Sequence, residues 1–246
     1  MKFLSAMAAL AISIGLATPA SAITITSISG IWQSADVTAG SISGSDGMAS
    51  GVGTSSISWG DVPNGYVPSA YSFSGTPTPF ETAVDEMFNL GTFTHSNNPI
   101  WTRGEMLNGA ELVLTFTIDG VAETFQSVFD FTHWETPNEP TNCADGGTHG
   151  VGVNANGCAD RVTLALNQEK TESFSVGGVD YVLDISGFLH QGVLLDSFWT
   201  MESAENNAIL QASYRMIDSP SEVPLPASGL LLLGGLAGLA MKRRRK

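Results

Sequence analysis

The alternation of apolar and polar positions is clearest from Leu112 to Ile118, where Leu112, Leu114, Phe116 and Ile118 alternate with Val113, Thr115 and Thr117. Period two puts one set of side chains in a core and the other on the opposite face of a strand. Asp119-Gly120 interrupts the run, which resumes from Val121 to Phe131 with Phe125, Phe129 and Phe131 on one face, so a hairpin turning at Asp119-Gly120 is predicted. Thr171 to Val176, then Gly177-Gly178, then Val179, Tyr181, Leu183 and Ile185 predict a second hairpin. Leu210, Ala212, Tyr214 and Met216 alternate with Gln211, Ser213 and Arg215 as a last strand before Pro220. Between Thr24 and Gly75 the chain is dominated by Ser, Thr, Gly and Asn, with apolar beats at Ile31-Trp32, Ile57 to Trp59 and Tyr71 to Phe73. That stretch reads as short strands joined by long turns, and one helical turn is expected near Glu81 to Leu90. Half-apolar strands must bury one face against a second sheet. The expected fold is therefore all-β, an antiparallel, jelly-roll-like β-sandwich with Leu112, Leu114, Phe116, Tyr181 and Leu183 on its core face.

Both ends of the chain carry a different pattern. Lys2, an apolar run from Phe3 to Leu16 and the small residues Ala20-Ser21-Ala22 make residues 1–22 a secretory signal peptide, cut after Ala22 by signal peptidase. At the other end, residues 220–246 comprise Val223-Pro224-Leu225-Pro226, an apolar stretch from Ala227 to Met241 and a basic cluster from Lys242 to Lys246 that includes Arg243, Arg244 and Arg245. Proline keeps the motif out of the helix, and the basic cluster stays cytoplasmic by the positive-inside rule. At ~1.5 Å per residue the apolar stretch reaches just over ~20 Å, a marginal transmembrane helix that suits a segment held only until processing. What remains, residues 23–219, is the ectodomain.

This tail resembles the PEP-CTERM sorting signal, with Val223-Pro224-Leu225-Pro226 where the name-giving Pro-Glu-Pro stands. The resemblance implies recognition by exosortase, a membrane protease-transpeptidase that removes the helix and basic cluster and hands the protein to the cell surface of a Gram-negative bacterium. Leu225-Pro226-Ala227-Ser228-Gly229 also looks like a sortase LPxTG signal with Ser for Thr, which would imply a Gram-positive wall.

Between Ile23 and Glu222 lie all 24 acidic residues but only Arg103, Arg161, Lys170 and Arg215 of the 10 basic ones, a net −20. A surface of that sign excludes nucleic acid as a partner. Cys143 and Cys158 are the only cysteines, and in an exported chain they are expected to form a disulfide. A zinc site using both with His149 lacks a fourth ligand. Asn154, Asn156 and Gly157, followed by Asp160, resemble the middle of a calcium loop. Its register fails as an EF-hand, but with Asp145 included an irregular oxygen-lined Ca²⁺ site is the candidate, against a plain Asn-Gly turn. His95, His133, His149 and His190 form no HExxH pair, and no GxSxG elbow is present.

Leu90 to Ile100, with Thr94, His95 and Asn97, looks like the signature of the THxN family of PEP-CTERM proteins, and Phe129 to Asn138, with His133 and Asn138, resembles its downstream block. The resemblance implies a β-rich body with no established activity. Thr94, His95, Asn97, His133 and Asn138 are expected either to tie the backbone of turns or to converge at one sandwich edge as a polar ligand site. Together these readings point to a non-enzymatic surface or matrix protein acting in adhesion, biofilm or exopolysaccharide interaction. Trp59, Trp101 and Trp134 are the aromatics suited to stack on sugars. The competing readings are an extracellular carbohydrate-active enzyme, which needs a cleft with two carboxylates ~5–10 Å apart, and a Ca²⁺-dependent binding module.

Overall fold

A computed structural model describes residues 22–42, 46–101, 103–138, 141–165 and 173–217. Most of the expected signal peptide, and the whole sorting tail with Val223, Pro224, Leu225, Pro226, Arg243, Arg244 and Arg245, lie outside these residues; Ala22 is described and exposed.

Alternation governs the described chain almost throughout, and it forms strands β1 (Ile23–Thr38), β2 (Ser56–Trp59), β3 (Ser69–Gly75), β4 (Phe80–Thr82), β5 (Phe88–Asn97), β6 (Met106–Ile118), β7 (Phe125–Trp134), β8 (Asp160–Ala165), β9 (Ser173–Val176), β10 (Val179–His190), β11 (Val193–Leu195), β12 (Ser197–Thr200) and β13 (Ala204–Met216). They pair antiparallel in two curled sheets. The first has the order β12-β8-β7-β6-β1-β4; the second has the order β11-β10-β13-β5-β3-β2, with β9 also pairing with β10. This is a β-sandwich.

The inward faces meet in an aromatic core. Phe93 of β5 stacks on Phe131 of β7 at 5.1 Å between ring centroids, and Trp32 of β1 packs on Phe131 at 5.0 Å and on Tyr71 of β3 at 5.4 Å. Elsewhere in the same core Phe125, Phe174, Tyr181 and Tyr214 form a second group, with Phe125 and Phe174 stacked at 4.6 Å. Leu112, Leu114, Phe116, Tyr181 and Leu183 are all buried, as period two requires. Each large apolar side chain removed from water contributes roughly 1.5–3 kcal/mol before entropy is counted.

Gly177-Gly178 forms the expected tight turn: Val176 pairs with Val179, and both glycines have positive φ (60° and 83°), the backbone that a two-residue hairpin loop demands. The other hairpin is looser than its sequence implies. β6 ends at Ile118, the Val121 N–H closes a turn on the Ile118 carbonyl at 3.2 Å, and β7 starts only at Phe125. Two further expectations are corrected. The segment from Glu81 to Leu90 contains no helical turn, because Phe80–Thr82 add as β4 to the start of β1 and β5 begins at Phe88. The polar stretch after Thr24 opens with one 16-residue strand, whose register shifts at three places along β6.

Candidate functional site: a buried acid and imidazole cluster

Period two carries His95 and Asn97 inward behind Phe93 on β5, and His133 inward behind Phe131 on β7. The two imidazoles thereby meet edge to face at 5.2 Å between centroids, walled by Trp59, which stacks on His95 at 5.7 Å, and by Tyr71. Tyr71 Oη lies 2.6 Å from His133 Nδ1, and His133 Nε2 lies 3.2 Å from Glu135 Oε2. Asp160, the first residue of β8, is fully buried beside them, its Oδ1 accepting the Thr136 N–H at 2.6 Å. His133, Glu135 and Asp160 each bring one potential ligand atom to within 4.8 Å of the others. Glu202, in the connection between β12 and β13, is also 0% exposed.

Hydrogen bonding leaves this cluster incomplete. Thr200 Oγ1 donates to the Asp160 carbonyl at 3.1 Å, so its lone pair must accept from His95 Nδ1 at 3.0 Å. That fixes His95 as the Nδ1–H tautomer and leaves Nε2 a buried lone pair without a partner. Asn97 Nδ2 donates to the Thr200 carbonyl at 3.2 Å, while Asn97 Oδ1, Asn138 Oδ1, Asp160 Oδ2 and both Glu202 carboxylate oxygens also lack hydrogen bonds.

Burial is the largest influence on every titrating group here. It pushes Glu135 up to about 7, with the Trp59 indole pulling the other way. Burial, then the charge of Glu135, push Asp160 up to about 8. Burial and Glu135 likewise push Glu202 up to about 7 against the pull of Asn138, Asp160 and Asn97. His133 is pushed down to about 4 although Asp160 opposes this, and His95 is held well below the usual imidazole range by burial and by His133. Tyr71 is raised by burial and by the two nearby acids. No basic side chain among the described residues offsets the acids: Arg161 lies over two tryptophans, Arg215 pairs with Asp184 at 2.6 Å and Arg103 is exposed.

The disulfide loop covers the cluster. Cys143 and Cys158 are bridged with Cα atoms 5.2 Å apart, inside the range a disulfide spans. Gly157, at φ 146°, lets the loop press onto the acids, since a Cβ there would stand 2.9 Å from both Asn138 Oδ1 and Glu202 Cγ. Asn156 Nδ2 donates to the Glu202 carbonyl at 3.0 Å. A small cleft of about 110 Å³, lined by Trp101, Met106, Glu135, Pro137 and Asn138 among others, leads from the surface to Glu135.

Of the residues singled out in the sequence, His95, Asn97, His133, Asn138 and Asp160 come together. Thr94 does not: it points away and donates to Asn207 Oδ1 at 2.6 Å. The His95 and His133 motifs lie within strands rather than in the turns after them. The calcium candidates divide as well. Asn154 Nδ2 donates to both carboxylate oxygens of Asp145 at 3.0 Å and Asn154 Oδ1 accepts the Ala159 N–H, so that pair closes the loop on itself while Asp160 belongs to the buried cluster. Sequence reasoning missed Glu135, Glu202, Tyr71 and Thr200. The spacing His133-x-Glu135 along an extended segment was a signal for Glu135; Glu202 had none.

Trp59 is buried, not available to a sugar, whereas Trp101 and Trp134 are 44% and 45% exposed. On the outer face of the first sheet, Trp134 of β7 pairs in register with Arg161 of β8, which pairs with Trp199 of β12. The guanidinium lies 5.1 Å from the Trp134 ring and 5.8 Å from Trp199. Compared with known proteins, the chain matches no family model and no curated sequence.

Proposed function

We propose that this chain is an exported, non-enzymatic cell-surface or extracellular-matrix protein of a Gram-negative bacterium, with a jelly-roll-like ectodomain at residues 23–219 that acts in adhesion or biofilm through exopolysaccharide. Signal peptidase removes residues 1–22. The C-terminal helix holds the chain in the membrane until an exosortase-type protease-transpeptidase acts near Val223 to Pro226.

The observation that carries the binding role is the cross-strand row Trp134-Arg161-Trp199. Two indole rings, tilted 50° to one another beside one guanidinium, offer aromatic faces for the C–H faces of sugar rings, and Arg161 adds donors for hydroxyl or carboxylate groups. Strand register fixes this row, so little ordering entropy opposes binding. On the enzyme reading, two carboxyls would have to flank one sugar. Glu135 lines the small cleft, while Asp160 and Glu202 are sealed beneath it.

Two measurements test the proposal. Mass spectrometry of the surface fraction should find mature protein beginning near Ile23 and ending near the Pro motif; intact peptides through Met241 in that fraction would refute the sorting step. The purified protein should co-sediment with the producing strain's exopolysaccharide, and recovery wholly in the supernatant would refute the binding role.

A further inference from the structure

Glu135, Asp160 and Glu202 are three carboxylates buried together with two imidazoles and no cationic side chain among the described residues. Each charge kept in such a place without a partner costs several kcal/mol, so nature pairs it, protonates it or sets it on a metal ion. The unpartnered atoms favour the metal ion. The bare Nε2 of His95, Asp160 Oδ2 and both oxygens of Glu202 are buried without a hydrogen-bond partner. Donor atoms gathered without hydrogens between them are the arrangement a cation requires.

We propose that His133, Glu135 and Asp160 form a divalent transition-metal site of the zinc type, with Glu202 as the adjoining fourth ligand. The donor set selects the metal. Ca²⁺ and Mg²⁺ take oxygen ligands, whereas an imidazole with carboxylates suits Zn²⁺ and its neighbours. His133 already has the outer partner that metal-bound histidines need: with Nδ1–H directed at Tyr71 Oη, the Nε2 lone pair faces Glu135 and the ion. The cleft to Glu135 supplies an entry path. The ligands come from the end of β7, the start of β8 and the β12–β13 connection, so one ion would clamp three separate parts of the chain beneath the disulfide loop. This site does not depend on the polysaccharide reading, and the calcium candidate Asp145 lies outside its ligand set.

The test uses the full chain, purified from an exporting host, stripped with dipicolinate and reloaded separately with Zn²⁺, Co²⁺, Mn²⁺ and Ca²⁺. The expected result is one tightly held Zn²⁺ per chain, a ligand-field spectrum for bound Co²⁺ that differs from the aqueous ion, and a change in tryptophan emission from Trp59. Glu135→Gln and Asp160→Asn should each weaken Zn²⁺ binding beyond the ~10–100-fold that loss of an outer partner produces, while Asp145→Asn should leave it unchanged. Should either ligand variant fail to fold, the wild-type Co²⁺ spectrum decides alone. Stripped protein that takes up no stoichiometric Zn²⁺, an aqueous-like Co²⁺ spectrum, preference for Ca²⁺, or Zn²⁺ uptake undiminished in both folded variants would each overturn the site.

Discussion

Tyr71 Oη stands 2.6 Å from His133 Nδ1, the point where the aromatic core of the sandwich touches its acid cluster. Removing only that hydroxyl by Tyr71→Phe strands a buried ring nitrogen, and such an orphan costs about 1–3 kcal/mol. The urea midpoint should fall accordingly with the m-value unchanged. An unaltered midpoint would mean that the contact does not hold the imidazole.

The acids predict a pH response of the metal-stripped protein. Glu135, Asp160 and Glu202 titrate near 7, 8 and 7 in the folded chain, above their ordinary values, so the folded state binds more protons than the unfolded state up to about pH 8. Their contribution therefore declines as pH rises through that window. His133 and His95 act oppositely, being depressed when folded, but only below the ordinary imidazole value of 6.5. Between pH 6.5 and 8.5 the acids act unopposed by these histidines, and Tyr71, raised above 10, stays protonated. Thermal melts of stripped protein should show Tm falling across that interval. A Tm that rises would contradict the buried-acid description.

The outer row makes a separable prediction. Trp134→Ala combined with Trp199→Ala should abolish co-sedimentation with exopolysaccharide, yet shift stability only by the order of 1 kcal/mol, since Trp134 is half exposed and the pair lies outside the core. Retained co-sedimentation in the double variant would place the sugar contact elsewhere.

Reduction of the Cys143–Cys158 bridge reopens a loop with a sequence separation of 15, which the chain-entropy model values at ~3 kcal/mol. Cys143→Ser with Cys158→Ser should lower the urea midpoint by a matching amount. Thiol labelling of surface-isolated protein without reductant should yield no adduct at either position; quantitative labelling would show that the bridge is not formed there.

Local alternation was enough to read the centres of β6, β10 and β13, because each of those strands buries one face and period two leaves a visible trace at Leu112, Leu114, Phe116, Tyr181 and Leu183. The tight turn at Gly177-Gly178 was legible for the same reason, its two positive φ angles being a local demand. β4 was not, since Phe80–Thr82 become a strand only by pairing with Ile23–Ile25 far away in sequence. β1 was read as fragments because its middle carries Ser, Thr and Gly on both faces, and β6 supplies the ladder that keeps it extended. In the cluster, His95 and His133 announced themselves through matching strand contexts. Glu202 did not, because an acid in a three-residue connection looks like any solvated turn until the loop ending at Cys158 is laid over it.

β13 runs between β10 and β5 in the middle of its sheet, although it is the last strand of the described chain. A polypeptide made from its N-terminus therefore cannot zip up this sheet until residues 204–216 have emerged. Before then β5 and β10 each present a bare row of N–H and C=O groups, the template on which other chains assemble. A product interrupted before Ala204 keeps both rows open to such pairing. The position of one strand thus ties closure of the sheet to residues 204–216: only a chain that includes them can complete it.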